Sequence, residues 1–244
     1  TLFVALCNDK GFNELDFSHL KHTISGGMAL TEAAASKWQG VTGCQIQEAY
    51  GLTETSPAVS FNPYHDIRIG TIGKVLTGTQ VKVIAEDGTD LGYNQEGELC
   101  VKGPQVMAGY WQRPEATEQA IDAEGWFKTG DVAILAEDGF IRLVDRIKDM
   151  INVSGFNVYP NEIDDVASQQ EGILECAVVG IPNEVSGETV KLFVVKSDPN
   201  LTQADVLAHC RENLTLYKVP KEVEFRDELP KTNVGKILRR ALRD

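Results

Sequence analysis

The stretch DRIKDMINVSGFNVYPNEI, residues 145–163, decides how the chain is organised. Two apolar runs precede it, at 132–135 and 140–144, and the EDG sequence between them at 137–139 is typical of a hairpin turn. After it, Pro160 and the acids that follow favour the first turn of a helix. The stretch therefore joins a β-rich region to a region that begins with a helix.

Within this stretch, charged residues and one glycine stand out. Arg146, Lys148 and Asp149 form a short charged patch, and Gly155 interrupts a strand-like run. A glycine in such a run often marks a place where a ligand or another chain approaches the backbone closely. A solvated joint between domains, with an incidental glycine, explains the same pattern. On pattern alone, both interpretations stay open.

The composition excludes several classes of protein. Of the 244 residues, 42% are hydrophobic and 24% are charged, which is ordinary for a globular protein. The net charge of −13 argues against a nucleic-acid partner, because phosphate binding needs a basic surface. Five scattered cysteines without a CxxC pair argue against a zinc site or a disulfide framework and favour reduced cytosolic thiols. No apolar run approaches the roughly 20 residues that span a bilayer.

The first half of the chain predicts an α/β layer followed by a β-rich subdomain. A strand at 20–25 leads into Gly26-Gly27, and Thr31 can cap a helix that Gly43 closes. From residue 67 to 102, short alternating runs separated by turns predict a small β-barrel-like subdomain. A short helix is expected at 114–121.

The region 160–244 predicts a compact α+β unit. We expect a helix at 161–170, a strand at 175–181 ended by Pro182, and further strands at 190–195 and 223–225. Thr202 and Asp205 resemble a capping box for another helix. His209 falls outside the apolar stripe of that helix, which predicts a surface position. A basic tail, ILRRALRD, is predicted to be helical, and its arginines are compatible with an anionic partner.

The loop YGLTET, residues 50–55, carries residue types suited to nucleotide chemistry. Tyr50 can stack on a base, Thr53 can donate to a phosphate oxygen, and Glu54 can supply an oxygen ligand to Mg²⁺. A Thr-Glu-Thr sequence in a loop is also a common helix cap, so the residues alone leave this alternative open.

Four motifs in order resemble one superfamily: YGLTET at 50–55, GWFKTGD at 125–131, the opening stretch, and PKTNVGKILRR at 230–240. The chain resembles the adenylate-forming acyl-CoA synthetases, luciferases and peptide-synthetase adenylation domains. Within this superfamily, it is most similar to bacterial long-chain fatty acid–CoA ligases. The resemblance implies the end of a large domain, with an α/β part at 1–66 and a β-rich subdomain at 67–145. A small mobile α+β domain follows at 146–244, with its hinge at Lys148.

The resemblance also implies roles for individual residues. It implies a nucleotide site made of Gly26, Gly27, Tyr50, Gly51, Thr53, Asp131 and Arg146. Asp131 would accept hydrogen bonds from both ribose hydroxyls, and Glu54 would be the metal ligand. Glu54, Thr53 and Lys236 would be catalytic, with Lys236 acting in the first half-reaction. Ser154, Gly155 and Phe156 would line a channel for CoA.

The implied reaction joins a fatty acid to CoA through an acyl-adenylate, with ATP and CoA as co-substrates and Mg²⁺ as cofactor. We expect a cytoplasmic enzyme and leave open a contact with the inner face of the membrane and a homodimer. The glycine-rich phosphate loop of the superfamily is expected upstream, so the chain is interpreted as a fragment. Another acyl- or aryl-CoA synthetase, or a non-catalytic nucleotide-binding piece, is the alternative.

Overall fold

The structure, a computed structural model, describes residues 2–233 and 235–243. The chain forms two compact units that divide between Ile147 and Lys148. This division lies two residues after the boundary expected from the sequence and directly before the predicted hinge residue. Val234, within the last family motif, lies outside the described residues.

The first unit opens with an α/β layer. Its elements are α1 (Leu2–Asn8), α2 (Lys10–Asn13), β1 (Thr23–Gly26), α3 (Glu32–Thr42), β2 (Ile46–Gly51), β3 (Ala58–Phe61) and β4 (Lys74–Val75). The four strands form one sheet in the order β1-β2-β3-β4, in which β1 and β2 are parallel and joined through α3. The remaining pairs are antiparallel. The expected strand–helix alternation is present.

Local chemistry sets both ends of α3. The Thr31 side chain accepts a hydrogen bond from the Ala34 amide at 3.3 Å, which satisfies one of the free donors of the first turn. At the other end, Gly43 has a φ of 72°, the left-handed conformation that closes many helices. Both predicted helix boundaries are confirmed.

The second part of this unit is an open antiparallel sheet. It contains β5 (Gln80–Ile84), β6 (Glu96–Lys102), α4 (Pro114–Ala120), β7 (Phe127–Leu135) and β8 (Ile141–Arg146). The strand order is β5-β6-β7-β8, and no pairing between β5 and β8 closes a barrel within the described residues. The expected β-barrel-like form is therefore corrected to an open sheet. Residues from both sheets of this unit share one apolar cluster, so apolar side chains of each sheet are buried against the other.

The second unit is the expected α+β domain. Its elements are β9 (Ile151–Val153), β10 (Phe156–Val158), α5 (Pro160–Ser168), β11 (Ile173–Asn183), β12 (Gly187–Lys196), α6 (Gln203–Asn213) and β13 (Glu222–Arg226). The strands follow the order β10-β9-β12-β11, and β13 pairs with β12 in parallel. Apolar residues of α5 and α6 pack on this sheet. The Thr202–Asp205 capping box at the start of α6 is confirmed.

Three local predictions for the second unit are wrong. Strand β11 continues through Pro182 because it lies at the edge of the sheet, where the missing proline N–H costs no ladder bond. His209 is half-buried, with Nε2 2.9 Å from the Val166 carbonyl oxygen, because α6 packs against α5. The tail forms only a short 3₁₀ helix, Arg239–Leu242, and Leu242 is buried in an apolar cluster of this unit.

Among the described helices, none combines the length and the apolar character that crossing a membrane requires.

Candidate functional site

The carboxyl ends of the two parallel strands bring the first group of predicted residues together. Gly26, at the end of β1, lies opposite Ala49 of β2, directly before Tyr50. Gly27 follows with a φ of 84°. In open α/β sheets, ligands bind in the crevice outside the carboxyl ends of parallel strands. The fold therefore places the glycine pair and Tyr50 where a ligand is expected.

Asp131 contacts two other predicted nucleotide-binding residues, Tyr50 and Arg146. The Tyr50 hydroxyl donates to Asp131 Oδ2 at 2.5 Å, linking the first sheet to the second. Arg146 faces Asp131 across β7 and β8, with its Nε 3.4 Å from Asp131 Oδ1. Asp131 is only 6% exposed, whereas the Arg146 side chain is 52% exposed. Three predicted nucleotide residues thus form one cluster.

The electrostatics of this cluster keep Tyr50 protonated. Burial, and then the negative charge of Asp131, raise the pKa of the Tyr50 phenol. Asp131 accepts from the Tyr50 hydroxyl and faces the Arg146 guanidinium, and a carboxylate has about four acceptor positions in all. The ring of Tyr50 belongs to the core of the unit and is 9% exposed. The structure thus supports positioning of Asp131 by Tyr50, and base stacking stays a prediction.

The loop that follows β2 is anchored by its own polar groups. Thr53–Thr55 form a 3₁₀ helix, and the buried Thr55 hydroxyl donates to the Pro57 carbonyl at 2.6 Å while accepting from the Leu52 amide at 2.9 Å. A Cβ at Gly51 would lie 1.7 Å from the Pro57 carbonyl oxygen. Glycine at this position is therefore required by the loop's own packing. The Thr53 side chain is exposed and can reach a ligand.

Glu54 is held by a loop that sequence reasoning passed over. The Tyr110 hydroxyl donates to Glu54 Oε1 at 2.9 Å, and the Met107 amide donates to the Glu54 carbonyl at 2.8 Å. Glu54 Oε2 has no hydrogen-bond partner among the described residues, so it can face a ligand. In the sequence, the signal for this contact is limited to the Tyr110 hydroxyl within MAGYW, residues 107–111. A single tyrosine in a loop does not by itself indicate a functional contact.

The donor set fits Mg²⁺ bound together with a polyphosphate. Mg²⁺ is commonly held by one or two carboxylates plus substrate phosphates and waters. The part of the chain that the structure describes contains no group of three or more His, Cys, Asp or Glu residues able to hold a metal without substrate. Glu54 alone fits the first arrangement and not a site made only of protein ligands.

In the second unit, the predicted CoA-channel residues form a tight hairpin turn. Ser154 and Gly155 connect β9 to β10 with φ angles of 53° and 86°, as in a type I′ turn. A Cβ at Gly155 would meet no atom within 4 Å, so the backbone conformation alone explains the glycine. Phe156 is 55% exposed and stacks on Tyr217 with ring centroids 4.8 Å apart. A role of these three residues toward CoA stays a prediction.

Lys236 lies on a second tight turn of this unit. The Thr232 amide donates to the Lys236 carbonyl at 2.7 Å, and Lys231 and Ile237 form an isolated antiparallel bridge. The Lys236 side chain is exposed. Lys148 lies in the 3₁₀ turn Ile147–Asp149, at the border of the two units. Both positions are accessible, and their predicted roles are not tested by this geometry.

Two tail arginines bind within the second unit. Arg239 Nη2 lies 2.9 Å from Asn161 Oδ1 and 2.5 Å from Asp164 Oδ2. Arg243 Nη2 lies 3.2 Å from Asp149 Oδ1. These contacts explain two of the three tail arginines without an anionic partner.

Comparisons with known proteins identify the family of the chain. The model of the AMP-binding enzyme family matches residues 1–111, and that of the AMP-binding enzyme C-terminal domain matches residues 162–236. The long-chain-fatty-acid–CoA ligase of Escherichia coli O6:H1 is 57% identical over 245 residues, covering 100% of this chain and 44% of the relative. That of Haemophilus influenzae is 54% identical, covering 100% of this chain and 43% of the relative.

A solved structure shows the same likeness in three dimensions. ATP-bound MatB from Rhodopseudomonas palustris matches with a TM-score of 0.92 and 34% identity, over 99% of this chain and 48% of that chain. The chain therefore spans less than half the length of each of these three relatives. Both family models match in the expected order, and the likeness extends over the whole chain. The chain belongs to the AMP-binding, adenylate-forming enzyme family.

Proposed function

We propose that the protein to which this chain belongs is an AMP-forming long-chain fatty acid–CoA ligase. The observation that carries the proposal is the Asp131 carboxylate, held by Tyr50 and Arg146 in the same unit as the carboxyl ends of the parallel strands. A carboxylate fixed in this way is the kind of acceptor that suits the two hydroxyls of a ribose. The whole-chain identity to bacterial long-chain-fatty-acid–CoA ligases supports the choice of substrate.

The proposed reaction has two steps. A carboxylate oxygen of the fatty acid attacks the α-phosphorus of ATP, and pyrophosphate leaves with the electrons of the broken P–O bond. The CoA sulfur then attacks the acyl carbon, the thiol proton is released, and AMP leaves. Direct thioester formation is difficult because the oxygen of a carboxylate is a poor leaving group, and AMP is a better one.

Residues of the first unit would bind the nucleotide. Asp131 accepts from the ribose hydroxyls, Arg146 contributes positive charge beside it, and the exposed Thr53 hydroxyl donates to a phosphate oxygen. Glu54 would hold Mg²⁺, which supplies charge neutralisation at the triphosphate when bound. Preorganised charges of this kind act mainly by electrostatic stabilisation of the transition state.

Residues of the second unit would divide the two steps between them. We propose that Lys236 supplies a cation for adenylation, and that Gly155 and its neighbours Ser154 and Phe156 border the path of the CoA thiol. Rotation of the second unit about Lys148 would present Lys236 during adenylation and Gly155 during thioester formation. The exposure of Lys236 supports this assignment, since a solvated ammonium can move to a ligand without breaking a buried contact.

The experiment that tests the function is ATP–pyrophosphate exchange by the full-length protein with a series of fatty and aromatic acids. Exchange that depends on a long-chain acid supports the proposal. A preference for aromatic acids would favour an aryl-CoA synthetase, and no exchange with any acid would leave a nucleotide-binding protein without catalysis.

Two variants test the assignment of Lys236 to adenylation and of Gly155 to thioester formation. Lys236→Ala should lower exchange by about 10²–10³ while preformed acyl-adenylate is still converted to acyl-CoA. Gly155→Leu should leave exchange intact and prevent the conversion of acyl-adenylate to acyl-CoA, because the side chain would block the path of the thiol. Equal loss of both steps in folded variants would refute the division.

We also propose that the protein works in the cytoplasm, at the inner face of the membrane where an apolar substrate is concentrated. Co-sedimentation with lipid vesicles tests this, and a protein that stays in the supernatant at low salt would contradict it.

A further inference from the structure

The loop Met107–Tyr110, which is part of the connection between β6 and α4, contacts Glu54 at two separate points. Its Met107 amide donates to the Glu54 carbonyl at 2.8 Å, and its Tyr110 hydroxyl donates to the Glu54 Oε1 atom at 2.9 Å. One loop thus constrains both the backbone and the side chain of the same residue. A carboxylate on a short 3₁₀ turn would otherwise be free to choose among several rotamers.

Helix α4 fixes the loop in turn. The Tyr110 amide donates to the Thr117 hydroxyl at 2.9 Å, and that hydroxyl donates to the Arg113 carbonyl at 2.9 Å. Thr117 lies in the middle of α4, so the position of the tyrosine backbone follows the helix. The phenol is therefore presented to Glu54 from a supported position.

The hydrogen bond between Tyr110 and Glu54 has a fixed direction. A phenol O–H can donate and an ionised carboxylate can only accept, so the Tyr110 hydroxyl is the donor and Glu54 Oε1 the acceptor. An ionised carboxylate accepts through both oxygens, and occupation of Oε1 by the phenol leaves Oε2 for a ligand. The contact therefore leaves Oε2, and not Oε1, available to a ligand.

We propose that Tyr110 is a positioning residue, which orients the Glu54 carboxylate toward the metal–triphosphate complex. This inference rests on the proposed function, because it takes Glu54 to be the ligand of the nucleotide-bound metal. Tyr110 itself touches neither the metal nor the reacting atoms. Its effect reaches the reaction only through Glu54.

Metal binding to the full-length enzyme tests the inference without requiring turnover. Mn²⁺, which takes the place of Mg²⁺, is titrated by electron paramagnetic resonance in the presence of α,β-methylene-ATP. The variants are Tyr110→Phe, Glu54→Gln and the double variant. Tyr93→Phe is the matched control, because the Tyr93 hydroxyl is exposed and has no hydrogen-bond partner among residues 2–233 and 235–243.

We expect Tyr110→Phe to weaken Mn²⁺ binding about three- to ten-fold, the usual range for one hydrogen bond, and to raise the Mg²⁺ requirement of exchange equally. Glu54→Gln should weaken binding more. In the Glu54→Gln background, Tyr110→Phe should have no further effect, since its only route to the metal is already lost. A purely structural role would instead give additive effects.

The outcomes separate the inference from the proposed function. If Tyr110→Phe binds Mn²⁺ as the wild type does while Glu54→Gln does not, the positioning role is wrong and the function stands. If Glu54→Gln also leaves Mn²⁺ binding unchanged, the metal role of Glu54 and the inference both fail, while fatty-acid-dependent exchange by the wild type still supports the function.

Discussion

Two carboxylates of the first unit each accept a hydrogen bond from a tyrosine hydroxyl, yet they lie in very different surroundings. Asp131 is 6% exposed, its donor Tyr50 is 9% exposed, and Arg146 lies beside it. Glu54 is half-buried, and its donor Tyr110 is 38% exposed. A buried polar group that loses its partner incurs the full desolvation penalty, whereas water replaces a partner at the surface. We therefore expect the Asp131 pair to affect both folding and binding, and the Glu54 pair to affect ligand geometry alone.

The largest effect is expected from Asp131→Ala in the full-length enzyme. Both ribose hydroxyls lose a charged acceptor, and hydrogen bonds to charged groups contribute about 1.5–3 kcal/mol each, so ATP affinity should fall at least roughly 100-fold. Fatty-acid affinity should change little. Nucleotide titration measures this, with Asp138→Ala in the exposed β7–β8 turn as control. An unchanged ATP affinity would remove Asp131 from the site.

A third carboxyl, Glu48, extends the comparison to a buried acid that forms no ion pair with any residue that the structure describes. Its Oε1 accepts from the Gly70 amide at 2.8 Å, and burial raises its pKa from 4.5 to about 7. The folded state holds the proton more tightly than the unfolded state, so the contribution of Glu48 to stability is greatest below pH 4.5 and is lost as the pH rises through about 7. The decline from this group should be about 3 kcal/mol.

The test is unfolding of wild type and Glu48→Gln across this pH range, with the surface variant Glu137→Gln as control. Glu48→Gln should remove the pH-dependent loss, because the amide cannot ionise. A wild type and variant with the same pH dependence would show that Glu48 ionises normally.

Tyr50→Phe examines the buried hydrogen bond directly. Asp131 Oδ2 loses its buried donor while the aromatic ring stays, so the free energy of unfolding should fall by about 1–3 kcal/mol. Chemical denaturation of the variant measures the change, with Tyr93→Phe as the matched exposed control. A loss no greater than that of the control would mean that water replaces the phenol, and the contrast between the two carboxylates would disappear.

The smallest effect on stability is expected from Tyr110→Phe. Substitutions at partly exposed positions away from the core usually change stability by less than about 0.5 kcal/mol. The same denaturation experiment serves here. A loss as large as that of Tyr50→Phe would show that the Met107–Tyr110 loop also supports the fold.

Sequence reasoning succeeded where the information was local and failed where it was not. The caps of α3 and α6 and the β7–β8 hairpin follow from side chains within four or five residues of each boundary. The wrong end of β11 at Pro182 and the misplaced His209 have a common cause. Edge position and helix contact are properties of the assembled sheet, which no local pattern records.

For the candidate site, too, the sequence indicated the residue types and not their contacts. Family motifs pointed to Tyr50, Glu54, Asp131 and Arg146, because each carries a side chain whose chemistry suits a nucleotide or its metal. The motifs did not show that Tyr50 would donate to Asp131, or that Tyr110 would hold Glu54. Gly155 was selected for a ligand approach, and the structure explains it by a turn with positive φ.

The sequence by itself determined most helix starts and turns, and the identity of the charged residues at the candidate site. Those features depend on backbone conformation and hydrogen bonds between near neighbours. Only the tertiary structure decided which partners the carboxylates have. Tyr50 and Asp131 lie 81 residues apart in the chain, and Glu54 and Tyr110 lie 56 apart. Such pairs form only when separate elements pack, because no local interaction specifies the distance between them.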